Sequence, residues 1–191
     1  MDRIWLRSSQ LIEFHDPANL LAHMRKVEFD LATTNTPKTI KNLRTNTLKE
    51  YRELREAALF CYGMSNRIGQ TVYVGRGESQ DYDFVASWFV DDEQHLAPVQ
   101  LKEVVPVALN PMASLQATVN ALAKYVDSED LTVAIHLNQQ ARFDPSKLSV
   151  PPLCIAALWV FASVSPDQSL WGLWGNLLET REGSSFEYPI A

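Results

Sequence analysis

The 191-residue sequence predicts one α/β domain built on a mixed central sheet, with the succession α-β-β-β-α-β. Three observations lead there. A helix-period apolar stripe runs from Leu48 to Cys61, three strand-like runs separated by turn signals follow it, and a second helix-period stretch then precedes another apolar run. At this length a chain buries enough surface to sustain a core without staples, and no internal repeat suggests a second domain.

The elements divide the chain into an N-terminal extension over 1–46, a core over 47–140 and a helical, Trp-rich addition over 141–191. The extension holds short amphipathic stretches, Asn19 to Leu31 among them, and the link TTNTPKTIKN, whose Thr, Asn and Pro residues read as a loop. The first core helix carries Leu48, Tyr51, Leu54, Ala58 and Cys61 at three- and four-residue steps, which places them on one face. Thr47 suits its N-cap, and Glu50 three residues on suits a capping box.

The runs TVYVG (71–75), YDFVASWFV (82–90) and LAPVQLKEVVPV (96–107) are rich in β-branched and aromatic residues. GRGESQ and DDEQH separate them, so the three predict an antiparallel meander. Residues 112–126 have helical spacing through Leu115, Val119, Leu122 and Val126, and LTVAIHL (131–137) reads as a buried strand. A helix crossing between two strands of one sheet makes those strands parallel, hence the mixed sheet. The apolar stretch Leu153 to Ser163 reads as a helix, and the ends of SLWGLWGNLLETREG as a further strand.

Composition bounds the function. A formal net charge of −6 opposes a protein that coats nucleic acid over its whole surface, which needs a basic footprint. Lys38, Lys41, Arg44, Lys49, Arg52 and Arg55 do crowd one segment, and the interleaved Glu50, Glu53 and Glu56 make it read as a solvated helix face. Cys61 and Cys154 each lie among apolar residues, the setting of buried free thiols in a reducing compartment. The start MDRIWLRSSQLIEF has no apolar h-region, and no apolar run approaches the ~20 residues that cross a bilayer, so the expectation is a cytoplasmic protein without a membrane role.

Side chains two apart on a strand share a face, so Gln100 and Lys102 stand together in an otherwise apolar strand. If the preceding turn is centred near Asp91 to Glu93, antiparallel pairing brings Asp83 opposite that pair or within a residue or two of it. Other candidates carry less. His15, His23, His95 and His136 show no metal-ligand spacing, the first three reading as surface or turn residues and His136 as a satisfied core group. GRGE at 75–78 lacks the glycine spacing and the Lys-Ser/Thr of a phosphate loop and reads as a turn. Trp159, Phe161, Trp171 and Trp174 suit a core, with a subunit interface as the other reading.

With DYDFVASWF and PVQLKEV on the middle strands, residues 49–140 resemble the PD-(D/E)xK nuclease superfamily, whose fold is restriction-endonuclease-like. The resemblance sets Asp83 in the place of the first acid, Gln100 in that of the second and Lys102 in that of the lysine. Family members often carry a Glu on the helix before the sheet; Glu56 in YRELREAALFCYG is the match, with Glu53 one turn earlier as the alternative. The resemblance implies a nuclease that hydrolyses phosphodiester bonds with Mg²⁺ or Mn²⁺, acting on DNA rather than RNA. Asp83, Gln100 and Glu56 would hold metal, and Lys102 would orient or deprotonate the water. Gln in the second acidic position and the absence of Pro before Asp83 depart from the commoner pattern. A second reading is the same fold without catalysis, kept as a protein- or nucleic-acid-binding assembly module. No sequence-reading element is recognisable, so a homodimer or a partner protein would provide specificity.

Overall fold

In the computed structural model, which describes residues 12–35, 37, 45, 48–77, 82–139 and 142–189, all strands join one sheet. The element order is β1 (Phe14–His15), α1 (Pro17–Thr33), α2 (Lys49–Ile68), β2 (Tyr73–Gly75), β3 (Phe84–Val90), β4 (Glu93–Val104), α3 (Leu115–Asn120), β5 (Ser128–Leu137), β6 (Ile155–Ser163), β7 (Leu170–Trp174) and β8 (Gly183–Glu187). The eight strands lie side by side in sequence order. β1 to β4 are successively antiparallel, β4, β5 and β6 are mutually parallel, and β6 to β8 return to antiparallel pairing. The domain is therefore α/β with a mixed sheet.

Local chemistry explains the boundaries. Asp16 accepts the Asn19 N–H and caps α1, with Pro17 in its first turn, where a missing N–H costs nothing. Leu48 is the N-cap of α2 and makes no side-chain cap bond, and Thr47, proposed for that role, lies outside the described residues. The helix ends at Gly69, whose φ of 73° places it in the left-handed region. Asp91 and Asp92 both have positive φ, 49° and 64°, as the two-residue hairpin turn between Val90 and Glu93 demands. The turn lies where DDEQH predicted it.

Two apolar clusters fill the two faces of the sheet. Against one face lies α2, burying Ala57, Ala58, Phe60 and Cys61 over Val99, Leu101, Ala134, Phe161 and Trp171. Helix α1 lies along α2: the Tyr51 hydroxyl donates to the Met24 carbonyl at 2.9 Å, and Arg55 Nε lies 2.6 Å from Glu28 Oε1. Against the other face α3, the 3₁₀ turn Ala121–Lys124 that follows it and the β5–β6 connection set Val119, Leu122 and Leu148 over Val104, Val133, Ile135 and Val160.

The C-terminal third corrects the sequence reading. Residues 153–163, expected to be helical, form β6, and β6, β7 and β8 extend the same sheet, so the helical C-terminal addition does not exist among the described residues. β6 has Leu158 to Ala162 buried, and it pairs in parallel with β5. A strand covered on both faces shows no alternation, and its unbroken apolar run then mimics a buried helix. The 112–126 helix is shorter than its spacing implies: Ser114 caps α3 at Leu115, and the chain tightens into a 3₁₀ turn at Ala121–Lys124. Trp159, Phe161 and Trp171 are buried and Trp174 packs beside Phe143, which is the core reading.

Candidate functional site

The parallel register of β4 and β5 sorts the polar residues of β4 into two groups. Gln100 pairs with Val133 and Lys102 with Ile135, so both face the α3 side of the sheet. Glu103 pairs with His136, on the face that α2 covers.

On the α3 side, Phe84 pairs with Val99, and the Asp83 N–H continues the ladder by donating to the Val99 carbonyl at 2.9 Å. Asp83 consequently stands opposite Gln100. Its Oδ2 accepts the Leu101 N–H at 2.6 Å and the Gln100 Nε2 amide, and that same amide lies 3.4 Å from the Leu101 carbonyl oxygen. Three oxygen-bearing groups thus meet at one point, with Asp83 exposed and Gln100 half-buried. Lys102 projects two residues further along the same face, its Nζ 5.9 Å from the Tyr125 ring centroid, and Lys124 flanks that ring at 5.3 Å. Asp83 and Gln100 therefore meet, and Lys102 shares their face of the sheet.

Glu56 is not part of it. Its Oε1 lies 3.1 Å from His136 Nδ1, on the opposite face of the sheet, so it does not complete a shell with Asp83 and Gln100. The cause is helical phase: Glu56 sits between Arg55 and Ala57 on a turn of α2 that is buried all round, between the sheet and α1. Glu53, the alternative, pairs with Lys49 at 3.4 Å. On the α2 side, Glu56, Glu103 and His136 gather with ligand atoms all within 4.8 Å of one another. Glu103 escaped the sequence reading, although one signal was present: a Glu next to Lys102 on an apolar strand must point to the other face.

His136 is buried, as its apolar strand predicted, and stacks on Phe161, centroids 5.0 Å apart at 11°. His95 stacks on Trp88, and His23 Nδ1 lies 2.7 Å from the Asn19 carbonyl. Arg55 does not lie on a solvated face: it is buried against Glu28, donates to Gln168 Oε1 at 2.7 Å and packs over Trp171. Lys38, Lys41 and Arg44 fall outside the described residues. Cys61 is buried, and burial pushes its thiol pKa up, so it stays protonated. Cys154 is exposed, against the expectation of a buried thiol: it precedes β6 by one residue and lies in the connection.

No helix among the described residues is long and apolar enough to cross a membrane. Protein-family models, curated proteins and solved structures were each compared with the chain, and none matches it.

Proposed function

We propose that the chain is a divalent-metal-dependent nuclease acting on DNA, with residues 49–140 as a restriction-endonuclease-like core and Asp83, Gln100 and Lys102 as its site. The observation that carries this reading is the meeting of the Asp83 carboxylate, the Gln100 amide and the Leu101 carbonyl beside a lysine of the same strand face.

The donor set fits a hard cation. With the Gln100 amide turned to present Oε1, the point offers one anionic and two neutral oxygens, the chemistry that Mg²⁺ or Mn²⁺ accepts while keeping several waters. When bound, such an ion would polarise the phosphodiester and lower the pKa of the attacking water. Asp83 would anchor the ion, and its bond from the Leu101 N–H fixes the carboxylate on the strand end. The ammonium of Lys102 would orient the water and offset charge that builds on the phosphate. Lys124, exposed beside Tyr125, adds a cation to a face that otherwise belongs to an acidic chain. A second copy or a partner protein would supply base recognition.

Incubation of plasmid and single-stranded DNA with Mn²⁺ tests the reading. Wild type should cleave, and Lys102→Ala should be slower by about 100-fold or more. Equal cleavage by both would mark a contaminant. The second reading, a non-catalytic assembly module, draws on Glu56 facing away and on Gln100 already donating to Asp83. Absence of cleavage together with absence of a Mn²⁺-induced thermal shift would favour it.

A further inference from the structure

We propose that Glu56, Glu103 and His136 form a second metal site, built for one divalent transition ion of the zinc type and separated from Asp83 by the thickness of the sheet. The inference stands apart from the nuclease reading, because it uses the opposite face and a different donor chemistry.

Glu56 and His136 already have the spacing of two ligands in a coordination shell, and Glu103 stands close to both. All three ligand atoms lie within 4.8 Å of one another, and His136 Nδ1 is 3.1 Å from Glu56 Oε1. Ligands at the ~2.0 Å bond length of zinc stand about 3.3 Å apart at the edge of a tetrahedron. An ion seated between Glu56 and His136 therefore replaces their contact with little movement, and a modest shift of Glu103 closes the set.

Burial and orientation distinguish the cluster from a surface group of acids. Glu56 and His136 are 5% and 6% exposed, where an ionised carboxylate needs a partner that water does not supply, and the half-buried Glu103 stands beside them. The imidazole stacks on Phe161 at 5.0 Å and meets the tilted Trp171 ring at 5.6 Å, and these two rings pack on each other, which limits its rotation. Glu103 Oε1 accepts the Asn138 amide at 2.8 Å, the kind of outer bond that holds a ligating carboxylate in place. Strand geometry supplies two of the ligands side by side, since Glu103 and His136 are register partners in the parallel β4–β5 pair.

The donor set also predicts which ion binds. An imidazole nitrogen with two carboxylates favours zinc over magnesium, following the affinity order of first-row metals for nitrogen sites. Three protein ligands leave a fourth position for water, and Glu103, half-buried, marks the side from which an ion would enter.

The test is equilibrium dialysis of the chelator-treated full chain against Zn²⁺, with metal content read by mass spectrometry. The expected result is one zinc per chain, affinity lowered more than about 10-fold by Glu103→Gln and by His136→Gln, and lowered about 10-fold by Asn138→Ala. Asp83→Asn should leave zinc binding unchanged, which separates this site from the nuclease reading. Cobalt substitution of the wild type needs no variant to fold and should give the intense visible bands of a low-coordinate nitrogen-and-oxygen site. Zinc content near zero, absent cobalt bands, affinity unaltered in a folded Glu103→Gln chain, or zinc lost in Asp83→Asn would each overturn the proposal.

Discussion

Glu56 on α2 and His136 on β5 meet at 3.1 Å under the sheet, and both are almost wholly buried. The pair ties the long helix to the central parallel strands. A buried polar pair of this kind is costly to break on one side only, because the surviving partner keeps its desolvation penalty and loses its bond.

Glu56→Ala should therefore lower the unfolding free energy by about 3 kcal/mol in urea titration with chelator present. Replacing both groups, Glu56→Leu with His136→Phe, should cost clearly less than the sum of the two single changes. Additive losses would mean that the two side chains do not depend on each other.

Gln100→Glu sets a second carboxylate against Asp83 and removes the amide that donates to it. Without metal the variant should be less stable than wild type by about 1 kcal/mol, from the lost bond and like-charge repulsion. With Mn²⁺ it should gain a larger thermal shift than wild type, because a second anionic oxygen strengthens binding of a hard cation. A shift no larger than that of wild type would argue against a metal at this point.

Gly175 and Gly69 both have positive φ, 141° and 73°, but they differ in surroundings. A Cβ on Gly175 would lie 2.7 Å from the Leu158 carbonyl oxygen and 2.9 Å from the Trp159 ring, whereas one on Gly69 meets nothing within 4 Å. Gly175→Ala should cost about 3 kcal/mol and Gly69→Ala about 1 kcal/mol, measured by chemical denaturation. Comparable costs would show that backbone conformation alone decides both positions.

Asp167 accepts from the Ser165 hydroxyl, the Ser169 hydroxyl and the Ser169 N–H, and these bonds hold its pKa down at about 2, below the ordinary 3.8. A depressed carboxylate pKa stabilises the fold above the unfolded-state value and loses that effect as pH falls through the folded-state value. The difference in melting temperature between wild type and Asp167→Asn should accordingly be constant above about pH 5 and narrow as pH falls from 3.8 toward about 2. A difference that stays flat through this window would show that the three bonds do not favour the ionised form.

The linear order of residues determined the features whose physics is local. Helical spacing located α2, β-branched and aromatic runs bounded by the DDEQH turn signal located β3 and β4, and parity along β4 placed Gln100 and Lys102 on one face. From the turn register alone, Asp83 could be set opposite them, because an antiparallel hairpin pairs residues at a constant sum of positions. Two decisions belonged to the tertiary structure. Whether 153–163 became helix or strand rested on parallel pairing with β5, a contact across a long connection that no local pattern encodes. Which face received Glu56 rested on how α2 rotates against the sheet, and burial on nearly every side of that turn, beneath α1, erased the polar stripe that would have revealed it. The same rotation joined Glu56 to Glu103 and His136, three residues that no sequence spacing connects and that only packing brings within 4.8 Å.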